Sequence, residues 1–260
     1  TLRLRHTAST LCINKNREKI YMPKHGEIDY LKNIGVDGRA HALNKPFSDV
    51  NCGLYLTDVG TVMALMPKPP AKVLDLGVGT GWTSILFSRR GYDVVGQDIA
   101  EDMINLANIN KASSGLKNLN FIASDYERLN YHDEFDVAIF YDSLHHAEDE
   151  VTAIKSAFEA LKPGGMLITV EPGKGHANSK DSMAAKANYG VTEKDMPPSL
   201  IVTIGKQIGF RNHEVYKRQF RPERLELSIF SMVHQLIRII KEIAKTSMYM
   251  QRPNIVVLRK

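Results

Sequence analysis

Three closely spaced glycines and a carboxylate downstream are the residues best suited to bind a nucleoside. Gly77, Gly79 and Gly81 directly follow the apolar run at residues 73–76. Glycine adopts backbone angles closed to other residues and lets a ligand approach the main chain closely. Asp98 ends the next apolar run, where a carboxylate can accept hydrogen bonds from both hydroxyls of a ribose. The spacing therefore predicts a nucleoside-binding turn between a buried strand and a helix.

The third glycine separates two classes of nucleotide-binding protein. A dinucleotide fingerprint, G-x-G-x-x-G, requires glycine at position 82, where this chain has Trp82. The pattern here is G-x-G-x-G. It disfavours an NAD-dependent or flavin enzyme but leaves that alternative open.

Further motifs follow the glycine loop in a fixed order. They are VLDLGVGTG at residues 73–81, GQDIA at 96–100, SDY at 124–126, FDVAIFYDSLHH at 135–146 and LKPGGMLI at 161–168. Together they resemble the motifs of class I S-adenosylmethionine-dependent methyltransferases, over roughly residues 72–210. The resemblance implies a Rossmann-like fold, S-adenosyl-L-methionine as the cofactor and S-adenosyl-L-homocysteine as the product.

The resemblance also implies which residues bind the cofactor. Asp75 would hold the ammonium of the methionine moiety, Asp98 the ribose hydroxyls and Asp125 the adenine amino group. The full predicted set is Asp75, Gly77, Val78, Gly79, Thr80, Gly81, Asp98, Ile99, Met103, Asp125, Tyr126, Tyr141 and Asp142. Asp75 and Asp125 are also compatible with a purely local role as a turn cap and a turn former.

Candidate catalytic residues follow the fourth and fifth predicted strands, where the methyl group should point. Histidine titrates near neutral pH, so either His145 or His146 could take a proton from a hydroxyl or amine acceptor. Glu171 is the second candidate to touch the acceptor, and His176 follows it on a loop. The alternative for each histidine is packing, with its ring nitrogens bonded to the backbone.

Short apolar runs alternate with helical segments from residue 72 onward, which is typical of a parallel sheet covered by helices. We predict seven strands, at residues 72–76, 93–98, 119–123, 135–142, 166–171, 210–216 and 254–258. We predict helices at residues 49–66, 81–90, 101–113, 149–161 and 193–208. The resemblance implies an α/β, doubly wound sheet in the order 3-2-1-4-5-7-6 with the last strand antiparallel.

Segments at both ends of the predicted sheet complete the domain organisation. Residues 1–70 are expected to form an N-terminal helical cap or lid and a first helix, in which His25 and Tyr30 could close over the cofactor. Residues 71–260 are expected to form the methyltransferase domain, with a helical insertion at about 222–248. In that insertion, apolar residues recur at a period of about 3.6 between residues 225 and 243. A core helix, a substrate lid, a dimer contact and a membrane-surface helix remain open for it.

Composition limits the partners and the compartment. The net charge of +5 suits an anionic partner, but no basic stripe interleaved with aromatic residues is present, so we expect no nucleic-acid binding. No window reaches the roughly 18 apolar residues of a transmembrane helix. Cys12 and Cys52 form no disulfide framework and have no metal-ligand spacing, so we predict no metal and a cytoplasmic location. Residues 1–17 are basic and free of acids, like an organellar presequence, although the chain starts at Thr and we favour a trimmed chain.

The predicted function is methyl transfer to a small molecule such as a sugar, a lipid precursor or a secondary metabolite. An Asn-Pro-Pro-Tyr type sequence, which indicates methylation of a base amine or a glutamine, is absent after the fourth predicted strand. We therefore expect oxygen as the acceptor atom. A cofactor-binding but non-catalytic module of a larger protein is the alternative from another functional class.

Overall fold

The computed structural model describes residues 24–219 and 250–260, together with Ile237 and Met248. Within these residues, seven strands form one sheet in the order β3-β2-β1-β4-β5-β7-β6. The strands are β1 (Lys72–Leu76), β2 (Asp93–Asp98), β3 (Leu119–Ala123), β4 (Phe135–Tyr141), β5 (Leu161–Glu171), β6 (Asn212–Lys217) and β7 (Asn254–Arg259). Strand β7 runs antiparallel to β5 and β6, and the remaining pairs are parallel. The predicted fold class and strand order are confirmed.

Helices precede the sheet and connect its strands. Those in the described residues are α1 (His25–Asn33), α2 (Gly35–Leu43), α3 (Cys52–Leu65), α4 (Trp82–Arg90), α5 (Glu101–Ser114), α6 (Glu150–Ala160), α7 (Lys180–Tyr189) and α8 (Pro198–Ile208). None of the helices in these ranges is long and apolar enough to cross a membrane.

The core lies on both faces of the sheet, because side chains alternate along each strand. On one face, Val73 of β1 belongs to a buried cluster that includes Val62 of α3 and Phe87 of α4. On the other face, Leu74 belongs to a cluster that includes Ile154 of α6 and Ile201 of α8. This double burial explains why the central strands consist of continuous apolar runs.

Local sequence explains most helix ends. Helix α4 ends at Gly91, whose φ of 106° lies in the left-handed region that glycine adopts readily. Helix α6 begins after Asp149, whose carboxylate accepts hydrogen bonds from the backbone N–H groups of Val151 and Thr152. Such signals placed α4, α5 and α6 within a residue or two of their predicted bounds.

Two elements differ from the predictions. The predicted helix at residues 193–208 begins only at Pro198, because proline lacks an N–H and disfavours helical angles in the residue before it. Residues 180–189 form α7, which the sequence analysis did not assign. Its sequence, KDSMAAKANY, has no apolar stripe to reveal a helix.

Smaller differences concern strand and helix ends. Strand β5 starts at Leu161 rather than Met166, because the backbone pairs with β4 before and after a register shift. Helix α3 begins at Cys52 rather than Asp49. The presequence-like residues 1–17 and the predicted insertion at 222–248, apart from Ile237 and Met248, lie outside the described residues. The division near residue 70 stays a prediction.

The N-terminal helices are fastened to the glycine loop and to α7. Thr80 Oγ1 donates a hydrogen bond to the carbonyl of Ala42, 2.7 Å away, at the end of α2. Tyr30 of α1 packs edge-on against Tyr189 of α7, with ring centroids 5.4 Å apart. These contacts place the two helices over the carboxyl ends of the strands, where parallel sheets bind ligands.

Candidate active site

A cavity of about 570 Å³ opens at the carboxyl ends of the central strands. This volume is within the usual range for a small-molecule site. Its walls include most of the predicted cofactor residues, namely Gly77, Val78, Gly79, Thr80, Asp98, Ile99, Met103, Asp125, Tyr126, Tyr141 and Asp142. The structure therefore brings residues from four separate motifs to one concave surface.

Asp98 holds the glycine loop at the end of β2. Its Oδ2 accepts a hydrogen bond from the Gly79 N–H at 2.8 Å, and its Oδ1 accepts one from the Ala100 N–H at 2.9 Å. Burial raises the pKa of Asp98, although these two N–H groups stabilise its charged form. Each carboxylate oxygen can accept a further hydrogen bond, so Asp98 can still bind ligand hydroxyls.

The glycine loop shows two different needs for glycine. Gly79 has a φ of +53°, and a Cβ at this residue would meet no atom within 4 Å, so its exposed backbone borders open cavity. Gly81 has a φ of +76°, and a Cβ there would lie 2.3 Å from Cζ of Phe121 on β3. Gly79 thus leaves room for a ligand, whereas Gly81 allows α4 to pack against the sheet.

Asp75 and Gly81 are predicted cofactor residues that do not line the cavity. Oδ2 of Asp75 accepts hydrogen bonds from Thr83 Oγ1 at 2.7 Å and from Ser84 Oγ at 2.6 Å. Burial raises the pKa of Asp75 to about 6, although the two hydroxyls oppose the shift. The side chain thus anchors the first turn of α4, and its contact with a methionine ammonium stays a prediction.

Asp125 and Tyr126 form the wall beyond β3. The Asp125 side chain accepts the Glu127 N–H, and Lys24 of the cap lies 2.9 Å from its Oδ1. Oδ2 of Asp125 is buried without a hydrogen-bond partner among the described residues. The Tyr126 hydroxyl donates to the carbonyl of Ser143 at 3.1 Å, which fixes the ring against the cavity.

These features fit an adenosine-containing cofactor. A buried carboxylate oxygen without a partner is costly, and the amino group of an adenine would satisfy Oδ2 of Asp125. The open backbone at Gly79 leaves space for the amino-acid tail, and Asp98 lies between the two. The donors and acceptors that such a cofactor needs are therefore present on one wall.

His145 and Glu171 form a buried pair at the turn after β4. The carboxylate of Glu171 accepts backbone N–H groups of Ser143 and Leu144 through Oε1, and lies 2.7 Å from His145 Nδ1 through Oε2. His145 lines the cavity, whereas Glu171 is buried behind it. Glu171 is thus placed to orient the imidazole and not to touch an acceptor.

His146 is held differently from its neighbour. Its Nδ1 lies 2.6 Å from the Thr192 carbonyl and 3.5 Å from a carboxylate oxygen of Glu27. Burial lowers the pKa of His146, but Glu27, Glu193 and the carbonyl outweigh it and raise the pKa to about 9. His146 therefore joins α1 to the segment after α7.

Several cavity residues were not singled out by the sequence. Glu193 precedes α8, and its carboxylate lies 2.7 Å from Nε2 of His176, a residue that the sequence analysis had named beside Glu171 as a candidate at the acceptor. Tyr30 lines the cavity as expected, but His25 does not. Lys24, Glu27 and Glu193 come from segments without a recognisable motif, so only the tertiary structure reveals them.

A buried ion pair supports the cavity wall at Tyr141. The Tyr141 hydroxyl donates to Oδ2 of Asp58 at 3.1 Å, and Arg218 donates to both oxygens of Asp58 at 2.6 to 3.0 Å. Because both charged side chains are almost fully buried, the pair fixes α3 beneath Tyr141.

Comparison with known families identifies the fold. The sequence model described as "Methyltransferase domain" matches residues 67–219. The ubiquinone/menaquinone biosynthesis C-methyltransferase UbiE of Vibrio vulnificus is 34% identical over 110 residues, covering 40% of this chain and 42% of that protein. A ubiquinone biosynthesis O-methyltransferase of Hydrogenovibrio crunogenus is 31% identical over 97 residues, covering 37% and 40%. The matched region thus spans less than half of these relatives.

Solved structures agree with the fold. A possible histamine N-methyltransferase of Thermotoga maritima superposes with a TM-score of 0.58 at 18% identity, covering 90% of this chain and 99% of that one. Phosphoethanolamine N-methyltransferase 2 of Haemonchus contortus, in complex with S-adenosyl-L-methionine, superposes with a TM-score of 0.56 at 17% identity, covering 78% and 51%. Both carry the Rossmann-like fold seen here.

Proposed function

This chain belongs to the methyltransferase domain family, and from that premise we propose that it transfers a methyl group from S-adenosyl-L-methionine to a small molecule. The observation that carries the proposal is the single cavity lined by the glycine loop, Asp98, Asp125 and His145. An NAD-dependent reaction loses support, because both the family and the G-x-G-x-G spacing favour the methyl donor.

The cofactor residues keep the roles suggested by their positions. Asp98 binds the ribose hydroxyls, Asp125 the adenine amino group, and Ile99, Met103 and Tyr126 flank the ring. The backbone of the glycine loop borders the methionine moiety. Tyr141 and Asp142 lie near its methyl end, where Asp142 has the unusual φ of +54°.

When bound, the sulfonium supplies the methyl group by in-line displacement, so the protein must mainly align the acceptor and exclude water. We assign the acceptor end of the cavity to His145 and His146, with Glu171 as a positioning residue. Since both Glu171 oxygens already accept backbone N–H groups, the contact with His145 is a donation from Nδ1–H. Nε2 of His145 then keeps its lone pair and can receive the proton of a hydroxyl acceptor.

Oxygen remains our proposed acceptor atom. The named relatives are carbon, oxygen and nitrogen methyltransferases, so the family leaves the atom open. A hydroxyl requires loss of a proton during transfer, and the His145–Glu171 pair supplies a group for that purpose. The cytoplasmic location and the absence of nucleic-acid partners stay predictions.

Cofactor binding tests the proposal. Isothermal titration with S-adenosyl-L-homocysteine should give stoichiometric binding to the wild type. Asp98→Ala should weaken it by about 1 to 3 kcal/mol, because hydrogen bonds to a charged group are lost. Asp98→Asn, which keeps one carbonyl acceptor for the loop, should fall between the two.

Asp93→Ala is the matched control, because Asp93 is an exposed aspartate at the other end of the same strand. Its affinity should equal that of the wild type. If Asp98→Ala binds as tightly as Asp93→Ala, the assignment of this wall to the cofactor is wrong.

Catalysis is tested separately, with labelled methyl donor and a panel of hydroxyl, amine and carbon acceptors. We expect label in a hydroxyl acceptor. Binding of the cofactor without transfer to any acceptor would favour the non-catalytic alternative.

A further inference from the structure

Three possible metal ligands converge at the acceptor end of the cavity. Oε2 of Glu193 lies 2.7 Å from Nε2 of His176 and 3.8 Å from Nε2 of His145. One ligand atom from each residue lies within 4.8 Å of the other two. Ligands about 2.0 to 2.1 Å from a tetrahedral ion are about 3.3 Å apart, so small side-chain shifts would place an ion between them.

The orientation of His145 favours such an ion. Its Nδ1–H donates to Glu171, which is 1% exposed. This contact leaves the opposite nitrogen, Nε2, directed toward Glu193 as the ring atom available to an ion. Metal-bound histidines usually donate their other ring N–H to a carboxylate, which fixes the tautomer and the ring orientation. Glu171 provides this outer contact.

The three segments that carry the ligands are fastened to one another. Both oxygens of Asp195 accept backbone N–H groups on either side of His176, from Gly175 at 2.9 Å and from Ala177 at 2.8 Å. The Lys194 N–H donates to the carbonyl of His145 at 3.2 Å. The segment at residues 193–195 thus links the other two, and the ligand positions are preorganised by the backbone.

We propose that His145, His176 and Glu193 bind a divalent transition-metal ion of the zinc class. Two imidazoles and one carboxylate are a donor set suited to such ions, and three protein ligands leave a coordination position open. All three residues line the cavity, so this position faces it. The sequence predicted no metal because the ligands come from three separate segments and not from a local spacing.

The metal site also indicates which class of molecule accepts the methyl group, an inference that rests on the proposed methyl transfer. A small molecule with a hydroxyl, or with two neighbouring oxygen atoms, would occupy the open position and bring its oxygen toward the cofactor. An oxygen bound to such an ion loses its proton more readily than a free one. The ion would then act where bare His145 was assigned above, and the proton of the hydroxyl would pass to solvent water before the oxygen takes the methyl group.

Zinc binding tests the site without any cofactor or acceptor. After treatment with chelator, the full chain is dialysed against zinc sulfate and its metal content is measured by mass spectrometry. We expect one ion per chain that His176→Ala removes. Loss of an outer-shell partner typically lowers metal affinity by about 10- to 100-fold, and His176→Ala should lower the affinity for zinc by more than that. His176 begins a single 3-10 turn, His176–Asn178, and its side chain is partly exposed, so the variant should fold.

His132→Ala is the matched control, because His132 is exposed and does not line the cavity. It should bind zinc like the wild type. A cobalt(II) titration adds a spectroscopic signature, since visible bands of a low-coordinate site should form in the wild type and in His132→Ala but not in His176→Ala.

Equal zinc content in the wild type and in His176→Ala would overturn the metal site. Binding of S-adenosyl-L-homocysteine, measured on the same samples, reports on the proposed function alone. A chain that binds zinc but not S-adenosyl-L-homocysteine would support the metal site and refute the proposed function. A chain that binds S-adenosyl-L-homocysteine but not zinc would support the function and refute the metal site.

Discussion

At the residue scale, the His145–Glu171 pair concentrates the chemistry of the site. Glu171 accepts three backbone N–H groups, from Ser143, Leu144 and His145, in addition to the imidazole. One buried carboxylate therefore fixes both the turn after β4 and the tautomer of the histidine. The direction in which Nε2 points is a consequence of this arrangement and not of the histidine alone.

Glu171→Gln should lower kcat by about 10²-fold or more, the lower end of what acid–base groups contribute. The amide can donate to His145 and so favour the wrong tautomer, while the cofactor wall is untouched. The Kd for S-adenosyl-L-homocysteine should therefore stay near that of the wild type. Steady-state kinetics and calorimetry would separate these effects.

Glu214→Gln serves as the control, since Glu214 is exposed on β6 at the far edge of the sheet. It should change neither quantity. A Glu171→Gln variant with unaltered kcat would show that the pair is structural.

At the element scale, the link between β1 and α4 depends on glycine for packing as much as for ligand approach. Gly81 and Gly115 both have left-handed φ angles, +76° and +69°. A Cβ at Gly81 would overlap Phe121, whereas one at Gly115 would meet no atom within 4 Å. The two residues therefore separate backbone strain from overpacking.

Gly115→Ala should lower the free energy of unfolding by about 1 to 2 kcal/mol, through strain alone. Gly81→Ala should lower the free energy of unfolding by about 1 to 3 kcal/mol more than Gly115→Ala does, because Phe121 must move. Urea denaturation of both variants would measure the difference. Equal losses would mean that Phe121 repacks freely and that α4 tolerates a shift.

How far sequence predicts an element depends on whether its signal is local. The central parallel strands were found because buried strands are continuous apolar runs, and α4 and α6 because their ends carry glycine or aspartate. Helix α7 has no apolar stripe, and the predicted α8 began too early because Pro197 and Pro198 were not interpreted as its start. The motifs predicted that the backbone at residues 77–80 and Asp98 would line the cavity, as they do. The position of Glu193 in the cavity wall follows only from the tertiary structure.

At the scale of the whole molecule, the buried carboxyl group of Asp75 makes the free energy of unfolding depend on pH. Its pKa is raised from 3.8 to about 6, mainly because burial disfavours the charge. The folded state therefore binds the proton more tightly than the unfolded state, and this contribution to stability is lost as the pH rises from 3.8 to about 6.

Asp75→Asn should remove this dependence, because an amide stays neutral and can still accept from Thr83 or Ser84. At pH 7.5 it should raise the free energy of unfolding by up to about 3 kcal/mol, at 1.36 kcal/mol per pKa unit. Urea denaturation between pH 4.5 and 7.5 would measure it. Asp93→Asn, on the exposed end of β2, should leave the pH profile unchanged, and a loss of stability in Asp75→Asn at every pH would contradict the prediction.

The position of β7 between β5 and β6 has a consequence for synthesis on the ribosome. Strand β6 is made first, yet its sheet neighbour is β7, which follows more than thirty residues later. Until that neighbour emerges, the nascent β6 has no described strand to pair with, and unpaired strand edges invite aggregation. Its first three residues, Asn212, His213 and Glu214, are polar and exposed in the finished sheet. We expect that polarity to limit aggregation of the unpaired strand during translation.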